Sequence, residues 1–242
     1  MKRGDVRDLA GSVGLGAWTA FGVLTMIVIG DGRPLYGDED LLSWSVAHRP
    51  DVAEALARGL TATGTGVIPY ALAALAGIIA GRTLRQRAVA VALCLVCLGA
   101  GQAARYGVMA LVARPRPDQA DWATHASGWA FPSGHTTTAA LTAGLLVMAV
   151  CVRAPRGSAL LALVIGCWGA LVGLTRVYLG VHWFTDVVGG WLFAIGWLGL
   201  CLCAATWWLP EGFITGTPDT DQKPTEDHAP QDPGRRGRSR PA

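Results

Sequence analysis

The sequence predicts an all-α polytopic membrane bundle of six transmembrane helices. Three observations carry that prediction. First, 52% of the residues are hydrophobic and 15% are charged, whereas a soluble domain carries about 25% charge; the mean hydropathy is +0.38. Second, the apolar residues gather in six blocks, residues 13–30, 66–80, 88–112, 136–152, 158–174 and 187–209. Most approach the ~20 residues that a helix needs to cross a ~30 Å hydrocarbon core. Third, Lys and Arg fall in alternate loops, as the positive-inside rule requires.

The first block follows Lys2 and Arg3. It has no small-x-small cleavage site before the next polar loop, so it reads as a retained helix. The loop over 31–65 is acidic, with Asp31, Asp38, Glu39, Asp40, Asp51 and Glu54 against Arg33, Arg49 and Arg58. It is long for a simple connection. Pro50-Asp51 followed by Val52, Ala53, Ala55, Leu56 and Leu60 has the form of a helix start. One or two short interfacial helices are expected here, either shaping a lipid entrance or serving as a spacer; His48 reads as solvent-facing. The second block is short, with Pro69 near its start.

Arg82, Arg85 and Arg87 precede the third block, and Arg153 and Arg156 follow the fourth. With Lys2, Arg3 and Arg7 they place both termini in the cytoplasm and the loops after spans one, three and five outside. Cys94-x-x-Cys97 lies inside an apolar run with no second ligand pair nearby, and reads as small buried side chains. Residues 1–209 thus form the membrane domain. The segment 210–242 is poor in large apolar residues and reads as a disordered cytoplasmic tail. The net charge of +3 sits mostly at block ends, and Arg235-Arg236-Gly237-Arg238 is a solvated terminus. No basic stripe for nucleic acid is present.

Three polar clusters stand at the outward helix ends. Arg114-Pro115-Arg116-Pro117 closes the third span. Arginine presents a rigid, permanently charged fork that matches phosphate oxygens. Arg114 is either a third phosphate ligand or a headgroup anchor. Phe131-Pro132-Ser133-Gly134-His135 opens the fourth span. Ser133 is a plausible N-cap, and a helix N-terminus where Gly134 permits close backbone approach is an anion site. Thr175-Arg176, His182 and Asp186 join spans five and six. On a helix, residues four apart share a face, so Asp186 can accept a hydrogen bond from His182 and fix its tautomer. The other imidazole nitrogen is then free to attack. His125, Asp118, Asp121, Trp122 and Trp129 form either the lip of the site or an ordinary interfacial loop.

These clusters resemble the tripartite motif of the type-2 phosphatidic acid phosphatase superfamily: an Arg-Pro motif, Pro-Ser-Gly-His, and Ser-Arg-x5-His-x3-Asp. The resemblance runs by motif from Met109 to Asp186. It implies that His182 is the nucleophile forming a phosphohistidine and that Asp186 orients it. His135 is then the general acid on the leaving alkoxide, later helping to activate water. Arg116, Arg176, Ser133 and the Gly134 amide hold the phosphoryl oxygens, with no metal and no cofactor. The substrate is a lipid phosphate or lipid pyrophosphate, such as phosphatidate, phosphatidylglycerol phosphate or undecaprenyl pyrophosphate. The partners are membrane lipids, with no nucleic acid. Phosphotransfer to another acceptor, or a catalytically weakened lipid-binding homologue, would share the scaffold. A haloperoxidase would not suit so short a membrane-spanning chain.

Two positions depart from the family pattern. Met109 stands where its first motif has lysine, with Arg105 one helical turn earlier, and Thr175 replaces serine. Small residues such as Gly189 and Gly190 allow close helix packing without specifying an oligomeric state.

Overall fold

The computed structural model describes residues 3–31, 34–154 and 157–208. Lys2, Arg33, Arg156, Leu209 and the tail expected over 210–242 lie outside the described residues. Eight α-helices occur among the described residues: α1 (Arg3–Asp31), α2 (Asp38–Ala47), α3 (Asp51–Ala62), α4 (Val67–Ala80), α5 (Leu84–Val112), α6 (Gly134–Arg153), α7 (Ala159–Tyr178) and α8 (Phe184–Trp208). Helices α1, α5, α6, α7 and α8 are each long and apolar enough to cross a membrane. This is a multi-pass membrane protein. Helix is the only open-ended way to satisfy every backbone N–H and C=O in hydrocarbon.

The helices outrun their apolar blocks because helical hydrogen bonding continues through the headgroup region. Helix α5 begins at Leu84 behind a capping box: the Thr83 hydroxyl accepts from the Gln86 amide, and the Gln86 side chain accepts in return from Thr83 N–H. The short second block is α4, whose 14 residues rise only about 21 Å. Helix α3 precedes it, and the two pass the membrane-span criterion only as a pair bent by 53°. Gly66, at φ +67° and ψ −141°, takes at this break a positive-φ conformation that glycine adopts without a Cβ penalty. The acidic loop therefore holds two short helices, the second belonging to a broken or re-entrant span.

Helix α1 lies along α8. The approach is close enough that a Cβ on Gly199 would come within 2.7 Å of the Gly14 Cα. Helix α6 is central, packing against α4, α7 and α8. Its Leu141, Leu145, Leu146 and Ala149 join Ala73, Ala76, Cys97, Leu98 and Ala194 in the main apolar core. Cys94 and Cys201 pack against that core, and all six cysteines are free thiols. Exposed Leu15, Met26, Leu111, Leu160 and Leu163 supply the apolar flanks that a lipid-facing surface needs.

The chain direction puts the ends of α5 and α7 and the starts of α6 and α8 at one end of the bundle. Backbone hydrogen bonds stitch that end: Ala130 N–H to Arg114 O (2.9 Å), Ser133 N–H to Asp186 O (3.1 Å) and Ala123 N–H to Leu179 O (3.0 Å). The α2–α3 segment is fastened over the same end. Arg49 donates to Asp121 O (3.0 Å) and Arg58 to Ala123 O (2.7 Å). Thus the three polar clusters converge, and the acidic loop covers them.

Candidate active site

The centre is His182, in the turn between α7 and α8 and 2% exposed. Asp186 sits in the first turn of α8. The two are four apart, but His182 precedes the helix, so the shared helical face expected from spacing is replaced by a turn-to-helix contact. The Asp186 carboxylate folds back over its own N-terminus. Its Oδ2 accepts from Trp183 N–H (2.9 Å) and faces His182 Nδ1 at 3.3 Å. Its Oδ1 accepts from Arg114 Nη1 at 2.6 Å.

His182 Nε2 lies 2.9 Å from Arg116 Nη1. A guanidinium only donates, so Nε2 is the acceptor and the ring proton sits on Nδ1, toward Asp186. The imidazole is neutral: burial, and then the charges of Arg116, Arg176 and Arg105, hold it well below the ordinary histidine range, against a smaller opposing effect of the Ala130 backbone. The His182–Asp186 contact is therefore a hydrogen bond from a neutral imidazole, and it fixes the tautomer. The Nε2 lone pair points toward Arg116.

Arg116 is fully occupied. Nε donates to Gly128 O (2.9 Å), and Nη2 to Ser127 O (2.9 Å) and Trp129 O (3.1 Å). Nη1 reaches Val181 O (2.7 Å) and His182 Nε2. Four of its five N–H groups thus staple the loop before α6 to the turn before α8. The fifth, on His182, is the one free to turn to another acceptor. Arg176, at the end of α7 and 2% exposed, donates from Nη1 to Thr61 Oγ1 of α3 (3.2 Å), and its Nε is buried without a partner.

Arg114 stands elsewhere than the two roles the sequence offered. It is 5% exposed and ion-paired to both Asp38 (2.9 Å) and Asp186 (2.6 Å), with Thr185 Oγ1 at 2.8 Å. A guanidinium shared by two buried carboxylates is neither a headgroup anchor nor available to substrate phosphate. It braces Asp186 from behind.

The second cluster supplies the open end of α6. The first helical hydrogen bond runs from Thr137 N–H to Ser133 O (3.0 Å), leaving the amides of Gly134, His135 and Thr136 as the unsatisfied N-terminus. Ser133 holds the N-cap position but caps no amide. Its Oγ instead accepts from Thr136 Oγ1 at 2.9 Å. His135 is half-buried, and its imidazole makes no hydrogen bond to another described residue. The Thr175 hydroxyl turns into its own helix, donating to Val172 O at 2.6 Å, so the Ser-to-Thr departure lies behind the site.

Sequence reasoning missed Asp38 and Thr61. Asp38 is 1% exposed and takes four donors: Leu35 N–H (3.0 Å), Arg114 Nη2 (2.9 Å), Thr185 N–H (2.9 Å) and Thr185 Oγ1 (2.7 Å). The available signal was an acid-rich first turn of α2, in which Asp38, Glu39 and Asp40 look alike. Among the described residues no group of three or more His, Cys, Asp or Glu side chains is arranged to hold a metal ion.

The family model described as PAP2 superfamily matches residues 88–210. Phosphatidylglycerophosphatase B of Bacillus subtilis (strain 168) is 38% identical over 88 residues, covering 35% of this chain and 42% of that protein. The chain's match thus spans less than half of that relative. The crystal structure of a transmembrane PAP2-type phosphatidylglycerolphosphate phosphatase from Bacillus subtilis superposes with a TM-score of 0.65. That match has 23% identity and covers 81% of this chain and 94% of the other. It shows a shared fold, and with the family model matching half of the chain across all three polar clusters, this protein belongs to the PAP2 superfamily.

Proposed function

We propose that this protein is an integral membrane phosphatase that hydrolyses a lipid phosphate or lipid pyrophosphate through a phosphohistidine on His182. One observation carries the reading: a buried, neutral His182 has Nδ1 held by Asp186 and Nε2 facing the Arg116 guanidinium, in a turn that the Ser133–Asp186 backbone hydrogen bond ties to the open N-terminus of α6. The substrate phosphoryl group displaces the Arg116 N–H from Nε2 and takes that hydrogen bond itself. Arg176 and the amides of Gly134 and His135 hold its other oxygens. Nε2 attacks phosphorus, the bond from phosphorus to the lipid oxygen breaks, and His135, which takes up a proton as the phosphoryl dianion binds among the arginines, gives it to that oxygen. Asp186 stabilises the imidazolium that forms. Water then attacks phosphorus, His135 takes its proton, and the N–P bond breaks to release phosphate and neutral His182.

The positive charge that stabilises the pentacovalent geometry comes from fixed guanidinium groups and backbone amides. Turnover is therefore expected to persist in excess EDTA. Arg82, Arg85, Arg87 and Arg153 lie at the opposite end of the bundle from the site, which supports an extracytoplasmic site at headgroup level.

The test is phosphate release by the full chain in detergent from phosphatidylglycerophosphate, phosphatidate and undecaprenyl pyrophosphate. Release from at least one lipid is expected, with His182→Ala lowering it by at least ~10³-fold. Rapid quench should trap phosphate on the protein in an acid-labile, alkali-stable form. No release from any lipid, or equal release by the variant, would sink the reading. Phosphate appearing on an acceptor in place of water would establish phosphotransfer.

A further inference from the structure

We infer that Arg105 supplies a phosphoryl-binding guanidinium from α5, at the point where the chain offers only Met109. The inference rests on the phosphatase reading above and names one more residue that touches its substrate.

Arg105 is 4% exposed, yet among the described residues no carboxylate lies within ion-pair distance of it. The two buried acids at this end of the bundle, Asp38 and Asp186, both go to Arg114. A buried charge without a counter-ion is costly. What surrounds Arg105 is neutral. Its Nε donates to Gln102 Oε1 (3.3 Å), its Nη1 rests 3.4 Å from Met109 Sδ, and its Cζ lies 3.8 Å from the Tyr106 ring centre. A thioether is a weak acceptor.

Its position says what is missing. A Cβ built on Gly134 would meet Arg105 Cζ and Nη1 at 3.3 Å. The guanidinium therefore lies against the first residue of α6, beside the open amides. A helix N-terminus carries partial positive charge and disfavours cations. A guanidinium held there is electrostatically misplaced unless an anion bridges it to the amides. The hold is built: Gln102 hydrogen-bonds Thr138 Oγ1, which itself donates to Gly134 O (2.8 Å). The charge of Arg105 also acts on His182 and Arg116, so it belongs to the same cluster. An anion beside Nε2 would answer Arg105, Arg176 and the α6 amides together.

A lysine at position 109 would put its ammonium onto Arg105 Nη1. The two cations are therefore alternatives, and one can stand in for the other.

The experiment measures inorganic phosphate binding to the detergent-solubilised full chain by calorimetry. The variants are Arg105→Met, Arg105→Lys, Met109→Lys, the double variant Arg105→Met with Met109→Lys, and His182→Ala. Losing one charged hydrogen bond should weaken binding roughly ten- to hundredfold in Arg105→Met. Arg105→Lys should retain most affinity. The double variant should recover much of the loss, whereas Met109→Lys alone should not tighten binding. Gel filtration and the unfolding midpoint check each variant's fold, and Arg105→Gln replaces Arg105→Met if the latter aggregates. Binding by the Met or Gln variant within twofold of the parent overturns the inference. Phosphatase activity abolished only by His182→Ala would in that case leave the broader reading intact. Parent protein that neither binds phosphate nor releases it from lipid sinks both.

Discussion

Asp38→Ala removes an acid that lies 147 residues from its partner Thr185 yet sits behind the proposed nucleophile. Its carboxylate accepts from Leu35, Arg114 and twice from Thr185. Removing one partner of a buried ion pair costs roughly 3–5 kcal/mol. Arg114 keeps Asp186 at 2.6 Å, which puts the loss at the low end, about 3 kcal/mol. For a chain of this size that is about 6–12 °C in unfolding midpoint, at ~2–4 °C per kcal/mol. Thr185 is the neighbour of Asp186, so the first turn of α8 loses its brace, and a ~1 Å drift of His182 can cost ~10²-fold in turnover. The assay is thermal unfolding in detergent at one scan rate, paired with phosphate release from lipid. Arg114→Met should be worse than Asp38→Ala, because it strands two buried carboxylates in place of one cation that keeps a partner. An Asp38→Ala midpoint within about 2 °C of the parent, with full activity, would refute the bracing role; so would the reverse order of the two variants.

Three further outcomes follow from the same geometry. His182 is held neutral by burial and then by Arg116, Arg176 and Arg105, and only the neutral form attacks, so the acid limb of kcat/KM should lie below the ordinary histidine value of about 6.5. Arg116→Gln removes the nearest of those cations and should move the limb upward; the difference between the two profiles is the readout, since substrate ionisation is common to both, and a downward move contradicts the assignment. Gly189→Ala places a methyl against the Cζ of fully buried Phe131 at 2.8 Å. Such overpacking costs about 1–3 kcal/mol, and it pushes directly on Pro132-Ser133, so activity should fall with stability; an unchanged midpoint would show that the ring has room. Finally, Ser127→Cys in a cysteine-free chain should react with an impermeant maleimide in intact cells while Arg85→Cys stays protected; the opposite pattern would invert the orientation.

The candidate site residues were legible because their types and spacings are short-range: Ser133-Gly134-His135 must open a helix, and His182 and Asp186 are four apart. What stayed hidden was tertiary. Nothing local separates Asp38 from Glu39 and Asp40; only closure of the α2 segment onto Thr185 decides which acid is buried. The direction of Arg105 depends on the rotation of α5 against α6, which hydrophobic blocks do not fix when both faces of a helix are apolar. Arg114 and Arg116 are two residues apart with the same flanking prolines, yet one meets carboxylates and the other carbonyls. The break between α3 and α4 was half visible in the shortness of the second block; the contribution of α3 to the site through Thr61 was not. Helix starts outside the apolar blocks were readable where a cap exists, as at Thr83-x-x-Gln86.

The distribution of charge around one imidazole ties these parts together. Asp38, Asp186 and Arg114 form a closed group on the Nδ1 side. Arg116 meets Nε2, and Arg176 and Arg105 act on the ring through their charge; among the described residues none of the three has a carboxylate within ion-pair distance. Because Arg114 takes both acids in direct ion pairs, the other three arginines are left without one, and Asp186 reaches Arg116 only through space. The ring is thus polarised before substrate arrives: the acid side holds the proton on Nδ1, and in the proposed reaction it also stabilises the imidazolium while the basic side draws the phosphoryl group to Nε2. Reversing that sorting, for example with Arg114→Met, would free Asp186 to pair with a substrate-facing arginine. Such a change should weaken phosphate binding at a position that no phosphate oxygen touches.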